Sequence, residues 1–204
     1  ELGSRYETLV VDDGSRPALE FDEPGLFVRL PENFGLGVST HIAIDHALRF
    51  GYSTLVRIDS DGQHSVSDIP RLVARIDQGD ADAVLGHRLN HRPTGWWDLR
   101  AWLKSYFSLI GKLASRGGTP VDMNSGFLAL NERAMKAINA HELERYPEPQ
   151  IFFLAHRAGL KIAEVEVQQE RRKHGNSSIR LFSALRLFIR FNVIILSELL
   201  RTRR

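Results

Sequence analysis

The stretch VRIDSDGQHSVSDIP, residues 56–70, decides the fold prediction for this chain. It includes the end of an apolar run, 54–58, that predicts a buried strand. Two carboxylates, Asp59 and Asp61, follow one residue apart, and Gln63 comes at the same spacing. Apolar residues then recur at helical spacing, so the stretch predicts a strand, an acidic turn and an amphipathic helix. That succession is typical of an α/β sheet, in which polar groups gather where the strands end.

The same alternation of strand and helix extends along the rest of the chain. Predicted strands cover 8–11, 26–30, 54–58, 83–85, 126–130 and 161–167. Predicted helices cover 38–50, 67–79, 97–114, 132–140 and 147–158, with Ser67 as the N-cap of the second. Almost wholly apolar strands between amphipathic helices indicate an α/β fold with a mostly parallel sheet flanked by helices.

The composition is that of an ordinary globular protein, with 204 residues of which 43% are hydrophobic and 25% charged. The formal net charge of +2 gives no general attraction to polyanions, so no nucleic-acid partner is predicted. The absence of cysteine excludes disulfides and thiolate metal sites, and it favours a reducing, cytoplasmic compartment. The chain opens at ELGSRYETLVV without an initiator Met or a signal-peptide pattern, so we expect residues to be missing upstream.

Two pairs of acidic residues lie at the carboxyl ends of predicted strands. One pair is Asp12-Asp13 and the other is Asp59-x-Asp61. Carboxylates held that close repel each other unless a positive group lies between them, and a hard divalent cation is the usual partner. Together the pairs suit a ligand with a nucleoside at one end and a metal-bound diphosphate at the other. The alternative for each pair alone is a solvated turn, since Asp-Gly is common turn chemistry.

A receiver-like signalling module could use some of the same residues. It would need an acidic pair, a phosphate-accepting Asp59, and a lysine such as Lys104 or Lys112. A receiver is only about 120 residues long, has no use for Asp61, and would leave the chain from residue 120 onward without a role.

Six motifs in order carry a resemblance to a known family: VVDDGS (10–15), ENFGLG (32–37), RIDSDGQH (57–64), DAVLGHR (82–88), VDMNSGFLAL (121–130) and RRKHGNSS (171–178). With them the chain resembles a family 2 glycosyltransferase of the GT-A fold. It is similar to the dolichyl-phosphate mannose synthases and their bacterial polyprenyl-phosphate relatives. The resemblance implies a metal-dependent inverting transferase that moves a sugar from a nucleotide-diphosphate sugar, UDP- or GDP-linked, to an acceptor.

The resemblance also implies roles on the donor side of the site. The metal, Mn²⁺ or Mg²⁺, would be held by Asp59, Asp61 and Gln63. The nucleotide sugar would be bound by residues from three of the motifs, namely Asp12, Asp13, Asp59 and Ser125.

On the acceptor side, the resemblance implies basic and hydroxyl contacts to phosphate, from Arg88, Arg100, Arg172 and Ser177. Asp122 would line the acceptor side together with Ser125. The catalytic set implied in this way is Asp122, Arg88 and Arg172.

The chain also departs from the family pattern. The family's first strand, with its base-binding turn, is expected to be absent from the sequence. Ser178 stands where a lysine is usual, which removes one phosphate-binding charge. A sugar-phosphate nucleotidyltransferase on a related fold is a second enzyme hypothesis, and it would need a glycine-rich basic loop after that first strand.

The acceptor determines which catalytic groups are needed. A polyprenyl phosphate is already anionic, so arginines that hold it matter more than a general base. A saccharide hydroxyl, as in cell-envelope glycan synthesis, requires a carboxylate base, for which Asp122 is the first candidate and Glu148 the second. The alternative for Asp122 is a cap before the strand at 126–130.

The C-terminal segment 179–204 differs from the rest, which we predict to be one catalytic domain over 1–178. It is strongly apolar with interleaved arginines, a pattern that predicts a basic amphipathic helix. Arg186, Arg190 and Glu198 make a membrane span costly, whereas a helix lying on the cytoplasmic membrane face fits. The alternatives are packing on the domain's own core and a homodimer seam.

Overall fold

A computed structural model describes residues 5–87 and 125–168 of the chain. It contains six strands, β1 (Leu9–Asp12), β2 (Leu26–Arg29), β3 (Thr54–Arg57), β4 (Ala83–His87), β5 (Leu128–Asn131) and β6 (Ile162–Glu166). Four helices lie between the strands along the chain, α1 (Leu36–Arg49), α2 (Ile69–Asp77), α3 (Glu132–Asn139) and α4 (Glu148–Arg157). The predicted α/β alternation is confirmed for these residues. The predicted helix at 97–114 lies outside them.

The strands form two sheets. β1 and β2 pair in parallel, and the larger sheet has the order β3-β5-β4-β6. β4 and β6 are parallel, whereas β5 runs antiparallel to both β3 and β4. Three of the four strands therefore share one direction, as predicted, and β5 is the exception. Because β5 is reversed, its first residue, Leu128, pairs with Arg57 near the carboxyl end of β3.

The larger sheet is covered on both faces. Alternate residues of one strand enter different clusters, with Leu85 packed on one side and Val84 on the other. The first cluster includes buried residues of three helices, among them Ile44, Met135, Ile138 and Phe152. The second is closed by α2, through Ile69, Leu72 and Val73. This two-sided burial explains the nearly continuous apolar strands of the sequence.

The start of α2 differs from the prediction. The helix begins at Ile69, after a short 3₁₀ turn over Val66–Asp68, and Ser67 is not its cap. The Ser67 hydroxyl instead lies 2.7 Å from that of Ser65. Asp68 directly precedes the helix, and its carboxylate contacts other parts of the chain.

Asp82 joins three strands at the end of the sheet opposite the acidic turn. Its buried carboxylate accepts hydrogen bonds from the Asn131 amide (2.9 Å), from Arg133 (3.1 Å) and from the Lys161 backbone N–H (2.8 Å). Burial alone would raise the pKa of Asp82, but the three donors outweigh it and the pKa is lowered.

Replacing Asp82 by alanine should therefore lower the free energy of unfolding by about 3 kcal/mol at pH 7, because buried donors lose their acceptor. A lowered folded-state pKa gives stability that is present above the unfolded value, about 3.9, and is lost as pH falls through the folded value. The gap between wild type and variant in urea unfolding should thus narrow below about pH 4. Asp80→Ala, which removes an exposed ion pair with Arg75, is the control and should cost under about 0.5 kcal/mol.

Candidate functional site

The DDGS turn, residues 12–15, begins where β1 ends. Asp12 is 3% exposed, and its Oδ1 accepts a hydrogen bond from the Ser15 backbone N–H at 2.9 Å. Its Oδ2 lies 3.7 Å from Arg29 Nε. The pKa of Asp12 is lowered, mainly by the Ser15 hydroxyl. The Ser15 backbone N–H and Arg29 also lower it, whereas burial raises it. Asp12 is therefore an ionised group that organises the turn, and its contact with a nucleoside stays a prediction.

Asp13 connects the DDGS turn to the loop before α1. Its Oδ1 accepts from the Phe34 backbone N–H at 2.7 Å, and its Oδ2 accepts from that of Gly35 at 2.8 Å. Gly14, at φ 71°, makes a close approach possible, since a Cβ there would lie 2.5 Å from the Glu32 carbonyl carbon. The structure thus brings VVDDGS and ENFGLG together. The predicted nucleoside role of Asp13 stays a prediction, because both of its oxygens already hold backbone groups.

The acidic turn, residues 59–63, follows β3 and contacts a buried arginine. Arg57 Nη2 lies 3.4 Å from Asp59 Oδ1 and donates a short hydrogen bond to Glu148 Oε1 at the start of α4. Burial alone would lower the pKa of Arg57, but Glu148 and Asp59 outweigh it and the pKa is raised. Arg57 is therefore a permanent cation between two carboxylates, a role that no sequence motif predicted. Nothing local in the sequence connects Arg57 to Glu148.

The segment before β5 packs directly on the acidic turn. Gly126 lies so close to the Asp59 carboxylate that a Cβ at position 126 would overlap it. Ser125 is buried, and its hydroxyl donates to the Gly86 carbonyl at 2.5 Å. The structure therefore brings the acidic turn against the start of the segment SGFLAL, residues 125–130. The predicted contact of Ser125 with the sugar stays a prediction, since its proton is used within the protein.

Asp61 and Gln63 give the acidic turn its curl. Asp61 Oδ1 accepts a hydrogen bond from the Gln63 backbone N–H at 3.0 Å. Within residues 5–87 and 125–168, no group of three or more His, Cys, Asp or Glu forms a metal cage. Two carboxylates and an amide oxygen nevertheless fit Mn²⁺ or Mg²⁺, which proteins often hold through one or two carboxylates while substrate phosphates complete the shell.

Asp68 is a further buried carboxylate near the acidic turn, and no sequence motif predicted it. Its Oδ1 accepts from Arg71 at 3.0 Å, and its Oδ2 accepts from the Gln168 backbone N–H at 2.9 Å. The bond to Gln168 fixes the end of the β6 segment against the start of α2. An aspartate before a helix predicts an N-cap, so the sequence carried no signal for a contact with the distant Gln168.

Several predicted site residues lie outside the described residues, namely Arg88, Arg100, Asp122, Arg172 and Ser177. The segment 179–204 lies outside them as well. Among the helices of residues 5–87 and 125–168, none combines the length and the hydrophobicity of a membrane-spanning segment.

Comparison with known proteins gives a consistent result. The family described as glycosyl transferase family 2 matches residues 2–136. The chain is 29% identical over 196 residues to an undecaprenyl-phosphate 4-deoxy-4-formamido-L-arabinose transferase of Pseudomonas syringae pv. syringae, covering 92% of this chain and 54% of that protein. A transferase of the same name from Pseudomonas paraeruginosa is 32% identical over 196 residues, covering 91% and 53%.

A polyprenol monophosphomannose synthase of Mycolicibacterium smegmatis is similar too. It is 30% identical over 143 residues, which cover 64% of this chain and 53% of that protein. The chain spans about half the length of the curated relatives that it matches.

Proposed function

The chain belongs to glycosyl transferase family 2, which has the GT-A fold, and we propose that it transfers a sugar from a nucleotide-diphosphate sugar to a polyprenyl phosphate. The observation that carries the proposal is the acidic turn after β3, which packs closely on Gly126 and contacts Arg57. A parallel-type sheet binds its ligands at that end of its strands. The family match also counts against the receiver-like module.

The acidic turn and the DDGS turn are proposed to bind the nucleotide-sugar donor. Asp59, Asp61 and Gln63 would hold Mn²⁺ or Mg²⁺, and the bound metal neutralises charge on the departing diphosphate. Asp12 and Asp13 would face the nucleoside, and their hydrogen bonds to the turn and to the loop before α1 support a rigid pocket. A pocket that is rigid before binding loses less entropy when the donor binds.

The acceptor proposal rests on two separate supports. Two of the relatives are named for transfer to undecaprenyl phosphate and the third is named for a polyprenol product. In addition, Glu148, the second candidate for a general base, forms an ion pair with Arg57. Its Oε1 is therefore engaged within the protein, and an anionic phosphate acceptor needs no general base. A saccharide hydroxyl as acceptor remains the second candidate, with Asp122 as its base.

The remaining residues of the motifs are proposed to bind phosphate. Arg88, Arg100, Arg172 and Ser177 would hold the phosphates of donor or acceptor, since arginine forms paired hydrogen bonds with phosphate oxygens. We also propose that the segment 179–204 lies on the cytoplasmic membrane face, where a lipid acceptor would be found. The alternative is that this segment forms a homodimer interface.

Calorimetric titration of UDP and of GDP into the protein, with and without Mn²⁺, tests the donor proposal. We expect one nucleotide to bind only when Mn²⁺ is present. The sugar nucleotide of that base is then assayed with a short polyprenyl phosphate and, in parallel, with a saccharide acceptor. Failure of both nucleotides to bind overturns the proposal, and transfer to the saccharide alone replaces the acceptor.

A further inference from the structure

We infer that Arg57 and Glu148 form a buried charge pair that sets how strongly the acidic turn binds its cation. The inference deepens the proposed function, because it assumes that Asp59 and Asp61 hold a divalent metal. Arg57 and Glu148 are positioning residues in this sense, since they act on the metal through Asp59. None of the sequence motifs assigns either of them this task.

The geometry makes the pair part of the turn's immediate surroundings. The side chains of Arg57 and Glu148 are 11% and 12% exposed, whereas that of Asp59 is 33% exposed. The same nitrogen, Arg57 Nη2, contacts both carboxylates. Its other terminal nitrogen, Nη1, is buried and has no hydrogen-bond partner among residues 5–87 and 125–168. The positive charge therefore acts on Glu148 with little screening by water, and on the more exposed Asp59 with more screening.

The charges act on a metal in opposite directions. The guanidinium of Arg57 repels a cation. It also partly neutralises the charge of Asp59, so that Asp59 attracts the cation less strongly. Glu148 compensates Arg57, so it indirectly frees Asp59 to attract the cation. Without Arg57, both Asp59 and Glu148 would add to the negative potential at the turn. Without Glu148, Arg57 would bind Asp59 alone and oppose the metal more strongly.

Two variants separate this charge effect from a merely structural role. Arg57→Met keeps an unbranched chain and removes the positive charge, so the affinity for Mn²⁺ alone should rise about tenfold. Glu148→Gln keeps the side-chain shape and removes the negative charge, so the affinity should fall about tenfold. If the pair only supported the fold, both variants would weaken binding. The double variant, which leaves no charge in the pair, should bind Mn²⁺ about as tightly as wild type, because the two opposite shifts cancel.

The experiment is a titration of Mn²⁺ alone, without nucleotide, followed by the electron paramagnetic resonance signal of the free ion. Thermal unfolding verifies that each variant is folded. Arg49→Met is the matched control, because its exposed ion pair with Asp45 lies at the end of α1 and should leave Mn²⁺ affinity unchanged. If Arg57→Met does not fold, Glu148→Gln and the double variant still decide the sign.

Each outcome gives a decision. Opposite shifts in the two single variants support the charge pair. Shifts in the same direction, or no shift, overturn the inference while leaving the metal site in place. Absence of Mn²⁺ binding in the wild type overturns the metal site itself, and the inference with it.

Discussion

Replacing Asp61 by alanine is expected to reduce metal-dependent nucleotide binding at least about 100-fold, equivalent to about 2.7 kcal/mol. The change removes one of the two carboxylates in the acidic turn, and a hard cation held by so few protein ligands loses much of its attraction. It also removes the acceptor of the Gln63 N–H bond that curls the turn. The loss of the charge and the loss of this hydrogen bond should both weaken metal binding at the acidic turn.

Asp61→Asn separates the two causes, because an asparagine oxygen still accepts the Gln63 bond while the charge is gone. If charge dominates, the asparagine and alanine variants should lose binding equally in calorimetry with Mn²⁺ present. Asp45→Ala, on the exposed surface of α1, is the control and should bind like wild type. Nucleotide binding that persists in Asp61→Ala at wild-type strength would contradict a metal site at this turn.

The second large effect is expected from Gly126→Ala, a change of one methyl group. The new Cβ would overlap the Asp59 carboxylate, while its next neighbours are atoms of the same side chain. Because a carboxylate at the end of a side chain can move, we expect the fold to survive and Asp59 to be displaced. Nucleotide affinity should fall about 100-fold, as it does when a metal ligand is lost, with only a few degrees' change in melting temperature.

The control for that variant is a glycine whose replacement costs stability and not binding. Gly51, at φ 74°, has open space on its Cβ side, with no atom within 4 Å of the position that an alanine methyl would take. Gly51→Ala therefore meets only backbone strain. It should lower the free energy of unfolding by about 1 kcal/mol and leave nucleotide affinity unchanged. If Gly126→Ala shows that same pattern, the packing of Asp59 does not matter for the site.

Hydrophobic periodicity predicted the strands and helices of the described residues well. Period-two and period-3.6 patterns follow directly from which face of an element is buried, and both faces of the larger sheet are buried. The antiparallel direction of β5 could not be predicted in this way, because the hydrophobic pattern of a run such as FLAL is the same for either strand direction. Strand direction is set by the connections and the pairing partners, which are long-range properties.

Local sequence chemistry did not predict the partners of two acidic side chains, Asp68 and Asp13. Ser67 suited an N-cap, but Asp68 lies at that position, and its carboxylate bonds to Arg71 and to the distant Gln168. The predicted nucleoside contact of Asp13 stays a prediction, and its oxygens also hold the backbone of the loop before α1, which the sequence did not indicate. In both cases a partner far along the chain used the side chain, and no local pattern announces such a partner.

The sequence predicted the motifs of the candidate site but not the contacts between their side chains. The acidic residues after β1 and β3 follow from the rule that polar groups gather at strand ends. The pairing of Arg57 with Glu148 and of Gly126 with Asp59 depends on the tertiary fold alone.

The reversed strand β5 has a consequence for the order of folding. β3 pairs with β5, so Thr54 must meet Asn131, and β4 pairs with β6, so Ala83 must meet Ile162. Both pairs of residues are far apart in the sequence. Such non-local pairing requires large loops to close first, which slows folding into the millisecond-to-second range. The acidic turn meets Gly126 and Glu148 only after those loops close, so it acquires its binding geometry late. A nucleotide that recognises this turn would therefore bind only the completed fold, and would stabilise that fold by mass action.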